Sequence, residues 1–209
     1  DLPNRSVSFA LLTDRNMNRR SLFHCWGRHI VLLVVGGCVS PDSRITRVRI
    51  ADSLDLDLHP PETFGQKISV LQHVEVHHGD RIFETLVQLE ISPEWVTLVG
   101  FTTMGVRTFT VRWSGEELFS ESSDGNDMPF DPKYIMADLQ LALWPKNFIK
   151  DTLQIQETLG AASSREVMRA GVPVVRISYE KTPAWRGHIK LQNLERDYRL
   201  EIHPLRINK

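Results

Sequence analysis

Apolar and polar residues alternate over Gln66–His77, with Ile68, Val70, Val74 and Val76 on one side and Ser69, His73, Glu75 and His77 on the other. A period of two predicts a strand with one buried face. His78-Gly79-Asp80 reads as a hairpin turn. Arg81–Ile91 is the next strand, with Phe83, Val87, Leu89 and Ile91 on one face. Ser92-Pro93-Glu94 turns the chain into Trp95–Thr102, which is apolar on both faces. Met104-Gly105 turns it into Val106–Trp113, with Phe109, Val111 and Trp113 on one face. Glu117–Glu121 is a fifth strand, and short turns between them all predict an antiparallel meander.

The period then changes. Asp131 suits an N-cap and Pro132 the first helical position, so a helix is expected over Pro132–Trp144, ended by Pro145. Only Lys133, Asp138 and Gln140 are strongly polar in it. A helix apolar nearly all round is covered on both sides, or faces something apolar that comes and goes. A second short helix is expected at Asn147–Leu153 and a loop at Ala161–Ser164. Strands resume at Glu166–Ala170, Val174–Lys181, His188–Gln192 and Tyr198–His203. The expected class is mainly β (α+β): a curved antiparallel sheet of about nine strands that curls into a barrel or half-barrel. The helix would lie across its mouth or inside its concave face.

Upstream, the apolar run Ile30–Val35 follows Arg19, Arg20 and Arg28 and ends in Val35-Gly36-Gly37-Cys38. A basic start, an apolar middle and small residues before a cleavage point make a secretory signal. Cysteine directly after the small residues makes it resemble a bacterial lipobox. Met17 is then the expected start, residues 1–37 are upstream extension plus signal peptide, and Cys38 is the lipidated first residue. Residues 38–58 are expected as a tether and 59–209 as the folded domain. The run at 30–37 is far shorter than the ~18 residues of a spanning helix, so lipid must anchor the protein, and stable anchoring takes more than one chain.

Composition adds exclusions. Among 209 residues there are 25 Lys and Arg against 26 Asp and Glu, which is no nucleic-acid footprint. The two cysteines are Cys25, lost with the signal, and Cys38, so no disulfide is expected in the domain. His73, Glu75, His77 and His78 invite a metal reading. On one strand His73 and His77 lie roughly 13 Å apart, too far to share an ion held at about 2 Å, so no metal and no cofactor are expected. No nucleophile-elbow, zinc-protease, P-loop or dinucleotide motif occurs, and the expectation is a non-enzyme.

Several stretches resemble a known group. Met104-Gly105-Val106-Arg107-Thr108-Phe109, the run Asp138-Leu139-Gln140-Leu141-Ala142-Leu143-Trp144-Pro145, Val174–Tyr179 and Asn193-Leu194 with Tyr198, Leu200 and Ile202 resemble proteobacterial lipoproteins of unassigned function. That group is similar to LolB, the outer-membrane lipoprotein receptor, and to its carrier LolA. The resemblance implies a half-open LolB-like β-barrel with a helical lid over an apolar cavity for acyl chains. Some relatives are encoded beside aryl-polyene lipid genes, implying a glycolipid-like or lipoprotein cargo. Phe83, Val87, Phe101, Phe109, Val111, Trp113, Leu139, Leu143 and Trp144 are the candidate cavity wall, and Met104 the candidate membrane contact. Val39, rather than Asp, after the lipidated cysteine implies the outer membrane, on its periplasmic face. The expected function is to take acyl chains from a LolA-like periplasmic carrier and pass them to the membrane, as a monomer. The alternative is a non-catalytic envelope scaffold whose barrel core is filled with side chains.

Overall fold

A computed structural model of the chain describes residues 46–123, 130–160 and 163–208. The signal segment, Cys38 and Val39 lie outside the described residues. All of the described residues fall in one unit, Pro41–Lys209.

The first element is a hairpin, β1 (Arg47–Ala51) and β2 (Leu54–Asp57), inside the span expected to be a tether. Its inner residues Val48, Ile50, Ala51 and Leu56 are buried. A single 3-10 turn, Pro61–Phe64, leads into the large sheet. The meander follows as β3 (Ile68–His78), β4 (Arg81–Ile91), β5 (Val96–Phe101), β6 (Arg107–Trp113) and β7 (Leu118–Ser122). Then come α1 (Pro132–Leu143), the one-turn α2 (Lys146–Ile149), β8 (Gln154–Thr158), β9 (Ser163–Arg169), β10 (Val172–Tyr179), β11 (Ile189–Asn193) and β12 (Tyr198–Asn208).

The sheet has ten strands in the order β7-β6-β5-β4-β3-β12-β11-β10-β9-β8. Two runs of sequential hairpins are joined where β12 pairs with β3, placing Tyr198 opposite His78 and Ile202 opposite Val74. Among the described residues β7 and β8 remain free edges, so the sheet is no closed barrel. β8 and the β1–β2 hairpin are additions to the expected strands. β8 reads Gln-Ile-Gln-Glu-Thr, too polar and short to stand out, and it forms because β9 offers an edge to pair with.

Curvature follows from the helix. On a flat sheet β7 and β9 would lie roughly 38 Å apart at ~4.8 Å per strand, whereas the twelve residues of α1 span about 18 Å. Yet α1 touches β7 at one side, and Arg165 of β9 reaches the Leu141 carbonyl at the other. The sheet therefore curls around the helix.

The helix begins as its sequence requires, with the Asp131 carboxylate accepting from the Lys133 N–H. Met136–Ala142 are all buried, the polar Asp138 and Gln140 included. Burial of a helix end obliges the last carbonyls to find donors. Arg165 Nη1 donates to the Leu141 carbonyl at 2.6 Å, and the Tyr179 hydroxyl to that of Ala142 at 3.0 Å. Arg165 is itself paired with Glu157 of β8 at 2.8 Å. On the far side Gln140 Oε1 accepts from the His59 N–H at 2.8 Å, and its Nε2 donates to the His59 carbonyl at 2.9 Å.

Gln140→Leu keeps the volume and removes both bonds, leaving the part-buried His59 N–H without its acceptor. The expected loss is about 2–4 kcal/mol in urea unfolding. A loss below about half a kcal/mol would show that the bridge is incidental.

Candidate functional site

Strand parity decides which residues meet under α1. Even-numbered residues of β3, odd-numbered residues of β4 and β6, and even-numbered residues of β5 and β12 face the helix. At the end of the sheet where β3 turns into β4, this inner face does not close on the helix. A cavity of about 570 Å³ remains there. Val74, Val76, Val87, Leu98, Leu200 and Ile202 form its sheet wall, and Tyr134, Ile135, Asp138 and Leu139 of α1 its roof. Phe83 and Phe130 meet edge to face at 5.2 Å beside His78, Asp131 and Arg196.

Of the residues expected to line a cavity, Phe83, Val87, Phe109 and Leu139 do so. The others lie elsewhere. Phe101 sits opposite Leu86 on the outer face by simple alternation, since Val96, Leu98 and Gly100 face inward, and a β5 apolar on both faces hides this parity. Val111 is wholly buried in packed core. Trp113 and Trp144 are also fully buried, and each indole N–H needs an acceptor. Trp113 finds the His59 carbonyl at 2.8 Å and Trp144 the Thr63 hydroxyl at 2.8 Å. Both therefore fill the opposite end of the fold, where Phe64 packs on Trp144 at 5.0 Å. Leu143 packs against that core too. Met104, at the tip of the β5–β6 turn, is 91% exposed.

Phe109 depends on a glycine. A Cβ on Gly100 would sit 2.1 Å from the Phe109 ring, so only glycine lets the ring lie flat on β5 and line the cavity.

Sequence reasoning missed the polar groups of this site. Asp138 is buried on the helix and accepts from the Tyr198 hydroxyl, 2.8 Å from both carboxylate oxygens. Burial, only partly offset by that bond and by Arg196, pushes the Asp138 carboxyl up to about 7. Burial and the neighbouring carboxylate likewise raise the Tyr198 phenol, which stays protonated as the donor. Arg196 stacks its guanidinium over Tyr134 at 4.0 Å and donates to the Arg49 carbonyl of the hairpin. Gln72 is buried on the otherwise apolar face of β3. A lone Gln on an apolar strand face and a lone Asp in an apolar helix were the available signals. The wall is thus aliphatic and aromatic, with a carboxyl–phenol pair set into it.

Residues 69–206 match a family model described as "Protein of unknown function (DUF3261)". That span takes in every lining residue from Gln72 to Ile202 and leaves out the β1–β2 hairpin. No curated protein matches the sequence.

Asp138 gives a signed pH dependence. Its folded pKa of about 7 lies above the ordinary 3.8, so between those values the unfolded chain ionises first and stability falls as pH rises. The fall amounts to about 4 kcal/mol, complete just above neutrality. Asp138→Asn does not titrate, so urea unfolding of the two proteins should diverge in favour of the variant across this window. Parallel curves would show that Asp138 is not held protonated.

Proposed function

The chain belongs to the DUF3261 family, and from that premise we propose that it binds an acyl chain in the cavity beneath α1 and passes it to a membrane. One observation carries the reading: the volume of the cavity joined to the character of its wall. At ~30 Å³ for a group the size of a water molecule or a methylene, about 570 Å³ holds on the order of 20 such groups, the scale of one long acyl chain. Each buried methylene contributes about 0.8 kcal/mol, so an acyl chain is held firmly and leaves only for another apolar phase.

A bilayer is such a phase, and the proposed lipid on Cys38 keeps one at hand. In this reading the protein is anchored at the periplasmic face of the outer membrane, a LolA-like carrier delivers the cargo, and α1 acts as the lid of a LolB-like half-barrel. No bond is made or broken. The exposed apolar side chains also favour it. Ile82, Met104 and Val106 are more than half exposed. They cap the β3–β4 and β5–β6 turns, at the same end of the sheet as Phe83 and Phe130. An apolar rim there touches the acceptor bilayer where the chain leaves.

Leu200→Trp fills the cavity from β12. It should weaken binding of a fluorescent fatty acid at least tenfold, while Leu143→Ala, outside the cavity, leaves binding unchanged. Native mass spectrometry of the full chain should show a lipid-sized adduct that Leu200→Trp removes. Absence of both adduct and fatty-acid uptake would overturn the reading in favour of a scaffold. Met104→Asp should slow transfer of bound fatty acid to phosphatidylethanolamine vesicles without changing affinity. An unchanged transfer rate would remove Met104 from the membrane contact.

A further inference from the structure

On the outer face of the sheet, away from the cavity, we propose a binding site for a divalent d-block cation such as zinc, formed by His188, Glu201 and His203. The site is made by strand pairing. Ile189 of β11 lies opposite Ile202 of β12, which carries His188, one residue earlier, to face His203. Glu201 lies opposite Lys190 on the same side. Tyr198, Leu200 and Ile202 occupy the alternate positions and point into the cavity, so the two sites are back to back and independent.

The two imidazoles stack with centroids 4.0 Å apart and planes 11° from parallel. One ligand atom from each of His188, Glu201 and His203 lies within 4.8 Å of the others. Two ligands at ~2.1 Å from a tetrahedral ion are about 3.4 Å apart, so an ion here would draw the three atoms closer through turns about the side-chain bonds. The Glu201 carboxylate is already oriented. Its Oε1 lies within ion-pair distance of Arg199 Nε at 3.0 Å and Lys190 Nζ at 3.5 Å. Its Oε2 faces His188 Nε2 at 3.7 Å, too long for a hydrogen bond. That nitrogen is shielded from solvent and has no hydrogen-bond partner. An oriented carboxylate oxygen and an unpartnered imidazole nitrogen thus converge on one point. Lys190 and Arg199 then act as the outer partners that fix a ligating carboxylate.

The surroundings suit a cation. His73 lies across from His203 on β3 with ring centroids 6.4 Å apart. Glu75 and Glu84 each approach His73 within 3.6 Å. These carboxylates offset the charge of Lys190 and Arg199. Two imidazoles and one carboxylate select zinc, nickel or copper over magnesium or calcium, which prefer oxygen ligands.

The test is calorimetric titration of the full chain with Zn²⁺, with Mg²⁺ as control. The expected result is a zinc-binding equivalent, silent to magnesium, that His188→Ala and His203→Ala each weaken at least about tenfold. His77→Ala, on the same face but outside the cluster, should leave it intact. Zinc should raise the Tm of the wild type more than that of the His203→Ala chain, whose metal-free Tm should match the wild type. No zinc binding, affinity indifferent to His188 and His203, or an equal loss in His77→Ala would each overturn the proposal.

Discussion

The fold rests on a helix that enters an apolar interior with its backbone ends and two polar side chains still needing partners. An unsatisfied buried amide or carbonyl costs about 1–3 kcal/mol, so α1 can lie here only if each need is met from a fixed direction. The Gln140 amide meets both backbone groups of His59. Arg165 and Tyr179 close the Leu141 and Ala142 carbonyls. Asp138 takes the Tyr198 hydroxyl. These partners come from the chain before β3, from β9 and β10, and from β12. Segments far apart in sequence are thereby pinned to one helix. The specificity of the arrangement lies in these bonds, while its burial supplies the bulk of the driving force.

Pinning the helix in this way leaves the two ends of the trough unequal. At one end Trp113, Trp144 and Phe64 fill the space, and the indole N–H groups find acceptors in the segment that carries His59 and Thr63. At the other end the space between helix and sheet stays open, lined by aliphatic and aromatic side chains with Asp138 and the Tyr198 it binds among them. The sequence sets a filled core against a cavity as alternatives; the layer holds packed core at one end and a cavity at the other, and the two tryptophans expected around the cavity are the ones that pack the far end.

The legible part of this fold was its periodicity. β3, β4 and β6 each alternate over seven residues or nearly so, and Asp131-Pro132 marks the helix start unmistakably. Parity placed Phe83, Val87 and Phe109 on the correct face, but parity says nothing about which end of a strand faces a void. That is why Val111 and Trp113 were grouped with them. Phe101 was misplaced for a different reason, since a strand apolar on both faces has no parity to read. The β1–β2 hairpin was missed because its alternation is short and broken by the turn at Asp52-Ser53. Asp138 was visible as an oddity, yet its partner Tyr198 lies sixty residues away. His188, Glu201 and His203 likewise become neighbours only through the β11–β12 register. A one-strand reading of His73 to His77 excludes chelation and is blind to neighbours in adjoining strands.

A hollow of this size cannot be left empty. Atoms lining an empty space have no partners on that side and forfeit their dispersion contacts. The cavity is half open, so the space holds water or an apolar guest. Water gains little from the aliphatic and phenylalanine walls, and its polar partners there are Gln72, Thr85, the Asp138–Tyr198 pair and the rim groups His78, Asp131, Tyr134 and Arg196. The proposed acyl chain needs no hydrogen-bond partners and would restore the contacts the apolar wall lacks. The same helix that must be satisfied bond by bond along its buried length is thus left, at one end, with a mostly apolar face, and it is from that face that the proposal starts.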